Sequence, residues 1–348
     1  MFPDIPIKDV YMFFDEIQLI KDWEYFVLRV YKSYCKNIYV CGSNATMLST
    51  ELSSALRGYP LEYETYPLSF NEYCRFKGIA TNSYLEQDRA RLKMAFEAYN
   101  QASAFPEIVL TSSRSEQLKL LHGYFDTMIL KDLAEHYKIS NTGVVRYFVK
   151  RFMANLTKPT SINAIYKDIK SQGLKVSKDD LYLWADYICN IFMFARISKY
   201  DRSLVKEQKS LDKYYCIDNG MRGAVLMPQS NDNGKNLENT VFMQLNRMRL
   251  PSDKITYYQG NCECDFVLQR EDNVIQLIQV TWDMVDASTR EREIKGLLEA
   301  ASVTGCENLI IVTKDEENTF NREGKEIKVI PAWKWVLLFS CHDFAEFK

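Results

Sequence analysis

Residues 9–20 read DVYMFFDEIQLI, an apolar run from Val10 to Phe14 followed at once by Asp15 and Glu16. Five apolar residues in a row have the length of a strand covered on both faces, the kind found in parallel sheets. The acidic pair then falls at the carboxyl end of that strand, the edge where open α/β sheets bind their ligands. An aspartate there can hold Mg²⁺ directly or through water, and an adjacent glutamate can polarise an attacking water. This is the pattern of a Walker B strand. It is a weak signal by itself, because apolar strands ending in Asp-Glu are common.

The flanking sequence extends the pattern. Residues 22–32 read as an amphipathic helix with Trp23, Phe26, Val27 and Val30 on one face. Ile38–Cys41 is a second short apolar strand, ending in Gly42-Ser43-Asn44. A small polar turn after the neighbouring strand is where a residue can sense a γ-phosphate. Gly58 supplies a turn, and LEYETYPL at 61–68 alternates like a strand.

The whole chain has 348 residues, a formal net charge of −2 and 47% hydrophobic residues, enough for two or three domains with buried cores. Near-neutrality argues against nucleic-acid binding by bulk charge, though it allows a local basic face. The first ten residues carry two aspartates and no apolar signal core, and no run approaches the ~20 apolar residues of a membrane span. The most apolar stretch, 181–197, is broken by Asp186, Asn190 and Arg196 and reads as a buried helix. Nine scattered cysteines, with Cys262 and Cys264 one residue apart, and three dispersed histidines match neither a zinc nor a redox spacing. The expected setting is cytoplasmic, with reduced thiols.

The strings YMFFDEIQ (11–18), YVCGSNATML (39–48) and LRGYPLEYETYPLSFNEY (56–73) resemble the second half of the ATPase domain in a large prokaryotic AAA-type ATPase family, whose members carry a C-terminal domain of unknown function. The resemblance continues through FPEIVL (105–110), GYFDTMILKDL (123–133), KYYCIDNGMRGAV (213–225), LENTVFMQL (237–245) and CECDFVL (262–268). It implies a P-loop-type parallel α/β sheet, with ATP and Mg²⁺ as ligands. It further implies that Asp15 holds the metal when nucleotide is present, Glu16 activates water and Asn44 senses the γ-phosphate. Relatives often read Gly-Arg where this chain has Gly58-Tyr59, so the arginine finger would fall to Arg57, one residue before the glycine. The family's P-loop, Gly-x-x-x-x-Gly-Lys-Ser/Thr, is absent from all 348 residues. Backbone N–H groups and a lysine of that loop cradle the phosphates. The expectation is therefore an N-terminally truncated or degenerate member: a partial sheet with an exposed edge, prone to self-association, that does not bind ATP tightly alone.

Residues 84–104 form a charged amphipathic helix, which Phe105-Pro106-Glu107 should end. Asn141-Thr142-Gly143 reads as a turn between further helices. Residues 161–201 have a helix–turn–helix outline: Ile162, Ile165 and Ile169 line one helix, Gly173 makes the turn and Ser177 caps the next. Phe194–Tyr200 and Lys213–Ile217 are candidate wing strands, and the family resemblance also implies a winged helix here. Its second helix opens with Asp179 and Asp180, which phosphates repel, while Lys199, Arg202, Lys206, Lys209 and Lys213 make the wing mildly basic. Nucleic-acid contact and a purely structural module both remain open.

The polar run 231–236 is a candidate domain boundary. Beyond it the pattern is helix, three strands, helix, strand, the order of the PD-(D/E)XK nuclease core. That core needs an acidic residue on its first helix, an aspartate on a strand, and Glu-x-Lys or Gln-x-Lys on the next. The carboxylates hold Mg²⁺, and the lysine supports developing charge. The candidates are Glu238, Asp265 and Gln279, with Thr281 where the lysine belongs. Threonine supplies no cation and Gln279 no charge, so Glu238 and Asp265 would hold metal weakly.

The expected architecture is thus multi-domain α/β: the later half of an AAA-type ATPase core at 1–80, a helical and winged-helix region at 81–225, and a nuclease-like α/β domain at 226–348. The expected function is an ATPase-family protein, inactive on ATP as this chain, serving a regulatory or nucleic-acid-associated role. The alternatives are a divergent Mg²⁺-dependent nuclease and a non-enzymatic binding protein.

Overall fold

The computed structural model describes residues 6–17, 20–42, 61–82, 85–226 and 232–338. Near the N-terminus, β1 (Met12–Asp15) pairs in parallel with β2 (Ile38–Cys41), joined by α1 (Trp23–Ser33). Trp23 and Val27 of α1, with Ile17, bury one face, packing on Phe14, Ile38 and Val40. The other face is open: Phe13 is 70% and Tyr39 53% exposed, their rings stacked 4.9 Å apart. The strand covered on both faces that the apolar run suggested is therefore covered on one face, because among the described residues only α1 packs against it. The stretch 61–68 forms no strand either. It has no partner strand among the described residues, and Leu61 and Tyr63 are exposed.

Two short helices flank a long one. In α2 (Phe70–Phe76), Ser69 and Glu72 exchange bonds in a capping box, the Ser69 hydroxyl accepting from the Glu72 N–H. α3 (Glu86–Gln101) follows. Pro106 does not simply close it but opens α4 (Pro106–Leu110), where the missing N–H of a first-turn proline has no helical partner to lose.

A helical layer comes next. α5 (Arg114–Thr127) widens into π-helical turns over Met128–Glu135, and α6 (Thr142–Ala154) is capped by the Asn141 side chain. The short β3 (Pro159–Thr160) leads to α7 (Ile162–Ser171) and α8 (Lys178–Asn190), with Ser177 and Asp180 forming the expected cap. The apolar stretch 181–197 is only half helix. α8 ends at Asn190, and β4 (Phe194–Ile197) begins after a left-handed Phe192. After α9 (Leu204–Lys209), β5 (Asp212–Cys216) lies between β3 and β4, antiparallel to both. Apolar faces of α5 to α8, β4, β5 and α10 (Asn219–Val225) enclose one core.

α11 (Asp232–Met248) takes residues 232–236 into its first turns, so the polar run suggested as a boundary loop is largely helical. A six-stranded sheet completes the chain, in the order β10-β11-β9-β8-β7-β6. Its members are β6 (Asp253–Gln259), β7 (Glu263–Arg270), β8 (Asn273–Val280), β9 (Leu309–Thr313), β10 (Asn318–Arg322) and β11 (Lys325–Pro331). β6 to β8 form an antiparallel meander. α12 (Ala287–Thr304) makes the crossover that lets β9 run parallel to β8. The helix–three strands–helix–strand order read from the sequence is thus present. α12 covers one face, and α2, α3, α11 and α13 (Ala332–Leu338) cover the other. No helix among the described residues is long and apolar enough to cross a membrane, and all eight described cysteines are free.

Candidate functional site

At the tip of β1, Asp15 is exposed and accepts a hydrogen bond from the Cys41 thiol at 2.9 Å. That bond to a carboxylate raises the thiol's pKa. Glu16 adopts a left-handed backbone (φ 48°) and donates its N–H to the Cys41 carbonyl. The acidic pair thus sits at a parallel strand edge, as expected. Asn44 and Arg57 lie outside the described residues.

The second constellation is built from four elements. β7 places Glu263 and Asp265 two residues apart, hence on one side of the strand. A register shift opposite Tyr257 sets two β7 residues, Asp265 and Phe266, against one on β6. Such bulges re-aim side chains. The Asp265 carboxylate accepts from the Val280 N–H at 2.9 Å, and its own N–H donates to Gln279 Oε1 at 3.2 Å. Gln279 Nε2 in turn donates to Glu293 of α12, which also pairs with Arg292. Glu238 faces the same place from α11, one turn before Phe242.

At the centre stands a residue that the sequence pattern assigned to a basic wing. Lys213 of β5 is 0% exposed. Its Nζ lies 3.2 Å from Glu238 and 3.3 Å from Asp265, and it also bonds Glu263. The Tyr257 ring lies 5.3 Å away, a cation–π distance. Two residues on, Tyr215 donates its hydroxyl to Glu238 at 2.9 Å and stacks on Phe242, centroids 4.1 Å apart. Burial alone would depress the lysine pKa, but Glu238, Asp265 and Glu263 outweigh it and hold the ammonium well above lysine's ordinary value. Burial raises Asp265 well above the usual carboxylate range, reinforced by Glu238 and opposed by Lys213. Glu238 is raised by burial too, against the pull of Lys213 and Tyr215.

Of the four residues expected here, Glu238 and Asp265 converge and Gln279 braces Asp265. Thr281 turns away, donating its hydroxyl to the Asp283 carbonyl. The missed members are Lys213, Tyr215, Glu263 and Glu293. The alternation Lys213, Tyr215 within a strand of otherwise buried residues was the available signal. A divalent cation at this place would share it with the Lys213 ammonium. Held by Glu238 and Asp265, it would meet a full positive charge already within hydrogen-bond reach of both. Among the described residues, no group of three or more His, Cys, Asp or Glu is arranged to hold a metal ion.

A family model described as an AAA domain matches residues 2–74, and one described as a domain of unknown function (DUF8612) matches 94–232. The uncharacterized protein MJ1544 of Methanocaldococcus jannaschii is 30% identical over 338 residues, spanning 94% of this chain and 75% of that protein. The chain belongs to the MJ1544 family. An uncharacterized protein of Haemophilus influenzae is 26% identical over 330 residues, 95% of this chain and 78% of its own. No solved structure matches the chain. Asp15 falls within the AAA match and Lys213 within the second match, whereas the carboxylates around Lys213 lie beyond both. The AAA match relates this member of the MJ1544 family to nucleotide-binding ATPases in general.

Proposed function

We propose that this member of the MJ1544 family is an AAA-type ATPase-related regulatory protein whose C-terminal α/β domain (226–348) is a nuclease-like scaffold that does not cut. One observation carries the proposal: the Lys213 ammonium lies within ion-pair reach of the carboxylates a nuclease would offer to Mg²⁺, 3.2 Å from Glu238 and 3.3 Å from Asp265. The order of helices and strands supports the nuclease-like description. The N-terminal segment (1–80) contributes Asp15 and Glu16 at a strand edge, but the phosphate-cradling motif is absent from the sequence. This chain alone therefore neither binds ATP tightly nor hydrolyses it. Within 81–225, the helix–turn–helix α7–α8 buries Ile162, Ile165, Ile169 and Leu181 and exposes Asp179 and Asp180. That supports a packing role for a winged-helix-like module over DNA reading.

Two assays test the proposal. Incubation with supercoiled plasmid and Mg²⁺ or Mn²⁺ should leave it intact; metal-dependent nicking that Asp265→Ala abolishes would establish a nuclease instead. Calorimetric titration with ATP should give no binding heat, and micromolar affinity would overturn the nucleotide half of the proposal.

A further inference from the structure

The lysine and its carboxylates come from different sheets. Lys213 rides on β5, the central strand of the three-stranded sheet, while Glu263 and Asp265 belong to β7 of the six-stranded sheet and Glu238 to α11. Docking β5 against the larger sheet takes Glu238 and Asp265 out of water: their side chains are 13% and 8% exposed. Without a counter-ion that docking would bury two carboxylates, which is strongly unfavourable. Tyr215 and Phe242 supply apolar attraction at the same seam, and the β4–β6 contact adds backbone bonds, Tyr200 to Tyr257 and Tyr257 to Ser198.

We infer that Lys213 is a charge clasp: a tethered cation that does for this cage what a bound metal ion does elsewhere, locking the three-stranded sheet onto the six-stranded sheet. The groups facing the ammonium are Glu238 from α11, Glu263 and Asp265 from β7, Tyr215 from β5 and Tyr257 from β6. Glu293 and Arg292 of α12 stand behind Gln279. The clasp draws on the same filled cage as the functional proposal, but its test reads stability rather than cleavage, so the two can fail separately.

The test compares the full chain with Lys213→Met, which keeps the apolar stem, and with the double variant Lys213→Met, Asp265→Asn, by thermal unfolding at pH 8. At pH 8 Lys213→Met should melt roughly 5–10 °C below wild type. The double variant should recover much of the loss at pH 8. Mn²⁺ should raise the midpoint of Lys213→Ala and leave that of wild type unchanged. If Lys213→Met does not fold at pH 8, folding of the double variant supports the clasp. Failure of the double variant to fold or to recover stability, or equal Mn²⁺ responses in Lys213→Ala and wild type, would overturn it.

Discussion

Gly296, in the middle of α12, faces the backbone of the cage strand. A Cβ added there would sit 2.0 Å from the Glu263 carbonyl oxygen and 2.9 Å from its carbon. Both atoms are main chain in a paired strand, so no side chain can swing aside. α12 and β7 must separate by more than an ångström, or β7 must shift at Glu263 itself. Overpacking of this kind costs about 1–3 kcal/mol, and the backbone obstacle puts this case at the upper end. The intrinsic gain from replacing a helical glycine with alanine offsets about 1 kcal/mol. Gly296→Ala should therefore lose about 2 kcal/mol, read from the urea midpoint at unchanged slope. Gly123 in α5 is the control, since nothing lies within 4 Å of its added Cβ. Gly123→Ala should gain about 0.5–1 kcal/mol. If Gly296→Ala proves as stable as wild type while Gly123→Ala gains, α12 does not rest on the Glu263 backbone and the cage geometry is wrong.

Two further outcomes follow from buried polar groups. Asp218 is buried and pushed up to about 6 by desolvation, although it accepts N–H bonds from Ala104 and Met221, each at 2.7 Å. The unfolded chain releases this proton near pH 4 and the folded chain near 6, so folding stability falls as pH rises between them. Relative to Asp218→Asn, wild type should lose about 2 kcal/mol from pH 4 to pH 7, checked by denaturant unfolding of both proteins. A difference independent of pH would show that Asp218 is ionised throughout. Tyr215→Phe removes the hydroxyl that donates to Glu238 while keeping the stack on Phe242. It should cost about 2 kcal/mol at pH 7 and less at pH 5, measured in the same way.

Much of the fold was legible because its signals are local. Ile38–Cys41 is bounded as read from its apolar run, Ser177 caps α8, and the helix, three strands, helix and strand of the C-terminal part stand in the order read, whereas β10 is no part of that reading. That strand, NTFNR, is a polar edge with its ends exposed, so it carries no alternation to find. The 61–68 stretch failed for the opposite reason: it alternates, but pairing needs a neighbour that sequence alone cannot supply. The candidate site was half legible. Glu238, Asp265 and Gln279 stood out by spacing, since each lies at a set place on a helix or strand. Lys213 did not, because its partners are 25 to 52 residues away and on other elements. A lysine within LDKYYC looks like a solvated wing residue until tertiary packing closes over it.

Lys213 filling the carboxylate cage is most directly tested by titrating the wild-type chain with Mn²⁺ and following the free-ion spectrum by electron paramagnetic resonance. With the ammonium in place, equimolar protein should leave the signal of free Mn²⁺ undiminished, with no difference between wild type and Asp265→Ala. Uptake of one Mn²⁺ per wild-type chain, lost in Asp265→Ala, would contradict it.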